Sequence, residues 1–131
     1  MSDVVLDASA LLAVLQRERG AEAVAGRLTG AAISAVNLSE VAGRLVEAGV
    51  PDDACREALA GLALDVVPFD EEQAFEAARL RRETRRAGLS LGDRACLALA
   101  LRRGVPALTA DHAWKRVRCG VEIEVVRTRR R

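Results

Sequence analysis

The chain has 131 residues and a mass of 14.0 kDa, enough for one domain with a core and too short for two. With 50% apolar and 30% charged residues it is neither a disordered nor a fibrous chain, and no apolar run approaches the roughly 18 residues of a membrane span. A formal charge of +1 conceals a division, since residues 1–78 carry 5 basic and 14 acidic side chains and residues 79–131 carry 15 and 5.

In chain order, Val4–Val5–Leu6 is short, continuous and largely β-branched, and predicts a buried parallel strand. Asp7 or Ser9 caps the helix predicted from Ala10 to about Arg19, with Gly20 ending it. Glu22–Leu28 predicts a second short helix and Ala31–Ile33 a weak strand. Ser34 caps a helix over Ala35–Ala48 whose Leu38, Val41, Ala42 and Leu45 form an apolar stripe, and Gly49 stops it. Pro51 suits the first turn of a helix that runs through Leu62. Leu64–Val67 predicts a third strand, closed by Pro68. A long helix is expected over Asp70–Arg86, with Ala74, Ala77, Ala78 and Leu80 inside and Gly88 breaking it. Ser90 caps a helix to Arg103, terminated by Gly104. Val105–Thr109 predicts a strand, Asp111–Val117 a short helix and Val121–Val126 a fifth strand.

Strands alternating with helices predict an α/β fold, a three-layer α/β/α sandwich on a mainly parallel five-stranded sheet. The domain is expected over residues 1–126, and the basic tail 127–131, with nothing apolar to anchor it, is expected to fray. Cys55, Cys96 and Cys119 are widely spaced and odd in number. They suit reduced thiols in a cytoplasmic protein better than a disulfide framework or a zinc site. Asp3 and Asp7 interrupt the start of the chain where a signal peptide would need an apolar run.

Sites in parallel α/β sheets gather at the carboxyl ends of the strands, and four acids have positions compatible with that edge: Asp7, Glu40, Asp93 and Asp111. Asp7, Asp93 and Asp111 each also read singly as helix caps; Glu40 stands at the margin of an apolar stripe, where burial has to be compensated. Together they describe a cluster that is stable only with shared protons or a cation. Oxygen donors without a histidine or cysteine set select Mg2+, or Mn2+, and His112, the only histidine, is not read as a ligand. Nineteen of the 20 basic residues are arginines, which grip phosphate oxygens or simply furnish a solvated surface. A divalent cation beside an arginine-rich half suits phosphodiester hydrolysis. Trp114 either stacks on a base or packs its short helix against the sheet. With three aromatics in the chain, all are expected inside.

Four stretches carry a family resemblance: Val5–Leu6–Asp7–Ala8–Ser9–Ala10, Asn37–Leu38–Ser39–Glu40–Val41, Leu89–Ser90–Leu91–Gly92–Asp93–Arg94–Ala95, and Leu108–Thr109–Ala110–Asp111. In this order they resemble the motifs of PIN-domain ribonucleases, specifically the VapC toxins of toxin–antitoxin modules. The resemblance implies a sheet ordered 3-2-1-4-5, a homodimer, inhibition by a small VapB-like antitoxin, and Mg2+-dependent cleavage of single-stranded or looped RNA, tRNA or rRNA, leaving 5′-phosphate and 3′-hydroxyl ends. It makes Asp7, Glu40, Asp93 and Asp111 the catalytic and metal-binding set, with Ser9, Asn37 and Thr109 orienting them. Charge and proximity add Arg94, Lys115, Arg116 and Arg118 as phosphate contacts, with Arg85 and Arg86 further out. Leu11, Leu12 and Leu15 are candidate antitoxin contacts. The alternatives are a catalytically inactive PIN-like domain that binds RNA or protein, cleavage of DNA or flaps, since no residue pattern here reads a 2′-hydroxyl, and a nuclease of the ribonuclease H fold. The last begins with an antiparallel meander that the helical segments between these strands do not allow.

Overall fold

The computed structural model describes residues 3–126 of the chain; the tail expected to fray lies outside them. Five short strands form one sheet: β1 (Val5–Leu6), β2 (Ala32–Ser34), β3 (Asp65–Val67), β4 (Ala107–Thr109) and β5 (Ile123–Val125). Their order is β3-β2-β1-β4-β5, and all four pairings are parallel. Seven helices connect them: α1 (Ala8–Leu15), α2 (Ala21–Ala25), α3 (Ala35–Glu47), α4 (Asp52–Ala60), α5 (Glu71–Arg79), α6 (Arg81–Thr84) and α7 (Leu91–Arg103), with a 3₁₀ turn over His112–Arg116.

Alternation along the strands builds two cores from one sheet. Leu6 is in register with Ile33 and Leu108, and all three face α1, α2, α3 and the inner side of α4. One residue earlier, Val5, Ala32 and Ala107 face the opposite side, against α5, α7 and Trp114. Helix α7 is buried continuously from Ala95 to Ala100, so its sequence lacks a polar face over that stretch. No helix among the described residues is long and apolar enough to cross a membrane. Cys55, Cys96 and Cys119 are free thiols.

Several boundaries differ from the expectations. Helix α1 starts at Ala8, on Asp7 as its cap, and ends at Leu15 instead of Arg19. Residues 16–20 offer no apolar side chain to hold another turn against the sheet, and Arg17 takes a left-handed conformation. Gly20, expected to end that helix, stands before α2, which stops at Ala25, three residues short of Leu28. Pro51 sits just outside α4 as its cap, and α4 ends at Ala60. The long helix expected over 70–86 is two, α5 and α6, meeting at Leu80. Its buried stripe is Gln73, Ala77, Leu80 and Thr84, while Ala74 and Ala78 are exposed; alanine on both faces hid the true register. The Thr84 hydroxyl donates to the Leu80 carbonyl oxygen (2.9 Å) inside the core, which ties the junction. Phe75 is 60% exposed, so not every aromatic is inside.

Candidate functional site

Asp7 leaves the end of β1 as the cap of α1, and four donor contacts fix its carboxylate. Ala10 N–H donates to Oδ1 (2.8 Å), the Ser9 hydroxyl reaches both oxygens (2.8 and 2.9 Å), and the Thr109 hydroxyl donates to Oδ2 (2.5 Å). The same two hydroxyls accept from the loop after β4. Ala110 N–H donates to Ser9 Oγ (2.9 Å) and Asp111 N–H to Thr109 Oγ1 (3.0 Å). Ser9 and Thr109 thus lock the ends of β1 and β4 together and aim Asp7 between them. Asp111 in turn accepts from Ala113 N–H (3.0 Å) as the cap of the 3₁₀ turn.

The other two acids arrive on helices. Asp93 sits in the first turn of α7 in a reciprocal box: Ser90 Oγ accepts from Asp93 N–H (3.2 Å), and Asp93 Oδ2 accepts from Ser90 N–H (3.0 Å). Glu40 projects from α3, and its Oε1 accepts from the Asn37 amide (3.2 Å), which also donates to the Gly92 carbonyl oxygen (2.9 Å). Asn37 is fully buried, and its own Oδ1 has no partner among the described residues, an arrangement that costs about 1–3 kcal/mol.

Asp7, Glu40, Asp93 and Asp111 line one cleft of about 480 Å³ with Ser9. Burial, with only 3% of Asp7 exposed, pushes its carboxyl up to about 6; the donors from Thr109, Ala10 and Ser9 oppose that rise, and the charge of Asp93 adds to it. Loss of solvent likewise raises Asp93, against its bonds to Ser90 and with help from Asp111. Glu40 is raised by desolvation of its carboxylate, opposed by the Asn37 bond and reinforced by Asp93, although the residue as a whole is exposed. Beneath the cleft, burial and then the charges of Asp7, Asp93 and Glu40 drive the Cys96 thiol well above its ordinary value, so it stays protonated. Helix α3 contributes two residues that sequence reasoning missed, Arg44 and Glu47. The signal was available, because positions 40, 44 and 47 share one helical face.

Lining carboxylates and no histidine make a donor set of hard oxygens. Among the described residues no three acidic, histidine or cysteine side chains close on a single point that would enclose an ion. Mg2+ keeps several waters and takes one or two carboxylates, so an open acidic cleft of this kind fits it.

The basic candidates divide. Arg86, Arg116 and Arg118 line a second cleft of about 500 Å³ together with Glu83 and Ala113. Asp111, the cap of the 3₁₀ turn, lines the first cleft, and Ala113 within that turn lines the second. Lys115 and Arg118 border a smaller pocket with Cys119. Arg85 is exposed and lines neither cleft. Arg94 is half-buried and turned toward α5, where it donates to the Ala77 carbonyl oxygen (3.4 Å). Trp114 is completely buried, which rules out stacking on a base and leaves its packing role. Leu11 is fully buried in the chain's own core and offers no docking surface, Leu12 is nearly buried and borders the acidic cleft, and Leu15 is half-buried. An open apolar groove of about 570 Å³ lies instead between α3 and α4, lined by Leu38, Val46, Leu59 and Val66.

The family model that matches the chain is that of the PIN domain, over residues 4–118. No curated protein matches it. Among solved structures, the chain resembles the DNA-bound VapBC of Salmonella typhimurium (TM-score 0.74, 20% identity, 95% of this chain and 98% of that one). It also resembles a VapBC toxin–antitoxin protein of Mycobacterium tuberculosis (TM-score 0.59, 25% identity, 96% and 99%). A third is a VapC toxin of M. tuberculosis that cleaves the sarcin–ricin loop (TM-score 0.67, 17% identity, 91% and 98%).

Proposed function

The chain belongs to the PIN domain family, and from that premise we propose that it is a divalent-cation-dependent endoribonuclease, the toxin of a toxin–antitoxin pair. The observation that carries the reading is the convergence of Asp7, Glu40, Asp93 and Asp111, from four separate elements, on one cleft. Burial chiefly, with neighbouring carboxylate charge adding to it, raises the proton affinities of Asp7, Glu40 and Asp93, and no lysine or arginine forms an ion pair with any of the four acids among the described residues. Helix capping accounts for Asp7, Asp93 and Asp111 one at a time, but it does not call for four carboxylates to share a cleft, as a bound cation would.

In this reading Asp7, Asp93 and Asp111 hold Mg2+ or Mn2+, which would polarise the scissile phosphate and lower the pKa of bound water. Ser9 and Thr109 keep the Asp7 carboxylate from rotating. Glu40, with Oε1 tied to Asn37, keeps Oε2 for a second ion or for the water that attacks phosphorus in line. The bond to the 3′-oxygen breaks, giving a 5′-phosphate and, once protonated, a 3′-hydroxyl. Arg44 on the acidic cleft, and Arg86, Arg116 and Arg118 on the second, are the phosphate contacts, with Lys115 and Arg85 at the margin. Arg94 serves instead as a strut to α5. The substrate is single-stranded or looped RNA, and tRNA and rRNA are the first targets to try. The partners are a second copy and a VapB-like antitoxin, for which the apolar groove between α3 and α4 supplies an open surface.

Cleavage of total cellular RNA in Mg2+, with the ends mapped, tests the reading. Asp7→Ala and Asp93→Ala are expected to abolish cutting while leaving the melting transition cooperative. Wild-type protein that binds RNA in Mg2+ and leaves it intact would instead establish a binding-only domain. Relief of growth arrest on co-expression of a short protein encoded beside the gene tests the toxin assignment.

A further inference from the structure

We propose that Gly92 is a positioning residue that seats the Glu40 carboxylate in the acidic cleft; its consequence for cleavage rests on the nuclease reading above, its geometry does not. Gly92 is buried in the first turn of α7, between the Ser90 cap and Asp93. Its backbone is not in the left-handed region that would demand glycine, and glycine inside a helix is otherwise disfavoured relative to alanine. What glycine supplies here is room. A Cβ at this position would lie 2.3 Å from Glu40 Oε2 and 2.7 Å from its Cδ and Oε1, closer than any real contact. The clash falls on the far end of a flexible side chain, so a methyl group would expel the carboxylate without parting α3 from α7.

Asn37 completes the seat. Its amide nitrogen donates both to Glu40 Oε1 and to the carbonyl oxygen of Gly92 itself, clipping the carboxylate to the residue it rests on. Reversing that amide would set an oxygen against two acceptors, so the orientation is fixed, and Oδ1 is left without a partner among the described residues. Glu40 is an exposed residue, and a side chain with this freedom would otherwise spread into solvent. Room above Gly92 and the clip from Asn37 hold it beside Asp93, across the interface between α3 and α7.

The test compares Gly92→Ala, Glu40→Ala and the double variant in three measurements: the Asn37 side-chain amide resonances, the melting temperature, and RNA cleavage in Mg2+. Gly92→Ala is expected to move the Asn37 resonances as far as Glu40→Ala does, with no further change in the double variant, and to melt no lower than wild type. Its cleavage rate is expected to fall to that of Glu40→Ala, and the double variant to be no slower. Unchanged Asn37 resonances in Gly92→Ala, or losses that multiply in the double variant, would overturn the proposal. Should Gly92→Ala fail to fold, the double variant decides: recovery of the fold on removing the carboxylate supports the seat, and continued unfolding refutes it. Wild-type protein that cuts no RNA would end the nuclease reading, and the resonances would still decide the role of Gly92.

Discussion

At the scale of single residues, Asp7 carries the sharpest conflict between folding and function. Its carboxyl is held at about 6 in the folded chain against an ordinary value of 3.8, chiefly by burial. The folded state therefore holds this proton more tightly than the unfolded state does. The resulting stability is fully present below about pH 3.8 and is lost as pH rises through 6, a change of about 3 kcal/mol. Asp7→Asn removes the titration while keeping the side chain's shape. In EDTA the variant is expected to gain on wild type steadily from pH 4 to 6.5 and then to hold a constant lead, as read from denaturant midpoints. A gap independent of pH would mean that burial does not set the Asp7 proton affinity. The position of Asp7 was legible because an acid directly after a buried strand falls at the carboxyl edge of the sheet. Its two hydroxyl partners are also near in sequence to acids, Ser9 to Asp7 and Thr109 to Asp111, so the motifs already contained the clamp. Gly92 escaped notice because its neighbour Glu40 is 52 residues away, and nothing local to a glycine says which side chain occupies its empty space.

Elements were readable where their ends are written in side-chain chemistry. Ser34, Ser90 and Gly104 mark helix ends by hydrogen bonds or left-handed backbone, and α3 and α7 match their expected spans within a residue. The stretch that forms α5 and α6 misled because alanine falls on both faces of α5, and the residues that point inward include Gln73 and Thr84, which no apolar pattern would select. The reciprocal box at Ser90 links element stability to the cleft, since the same Asp93 oxygen that accepts from Ser90 N–H belongs to the acidic cluster. Ser90→Ala removes the acceptor for Asp93 N–H and is expected to cost about 1 kcal/mol. A lower urea midpoint at unchanged slope would report this, and Ser90→Thr is expected to restore the midpoint. Equal midpoints for all three proteins would show that α7 is held by its buried flank alone.

At the scale of the molecule, the strand order is the least local property, because each strand's neighbour is chosen by packing across the whole chain; periodicity gave the five strands, and family resemblance supplied their order. The charge division along the sequence survives folding only in part. Arg102 pairs with Glu76, Arg103 with Asp65 and Arg27 with Glu124, joining the acidic and basic halves across the fold. Arg81, Arg82, Arg85, Arg86 and Arg116 have no ion-pair partner among the described residues, and two of them, Arg86 and Arg116, line the second cleft. An anion entering the acidic cleft meets repulsion unless cations nearby outweigh it, so a polyanion long enough to span both clefts is favoured over a short one. Each phosphate neutralised by an arginine releases counterions from the nucleic acid, and for single strands the slope of log affinity against log salt changes by about 0.7 per contact. Arg86→Ala with Arg116→Ala is therefore expected to flatten that slope by about 1.4 for a single-stranded RNA that spans both clefts. Fluorescence anisotropy at several salt concentrations, with Asp93→Ala present in both proteins to prevent cleavage, reads the slopes directly. The paired substitutions Arg81→Ala and Arg82→Ala, which lie outside the second cleft, provide the comparison. If they flatten the slope equally, the arginines act as a diffuse positive surface and the second cleft is not a path for the RNA backbone.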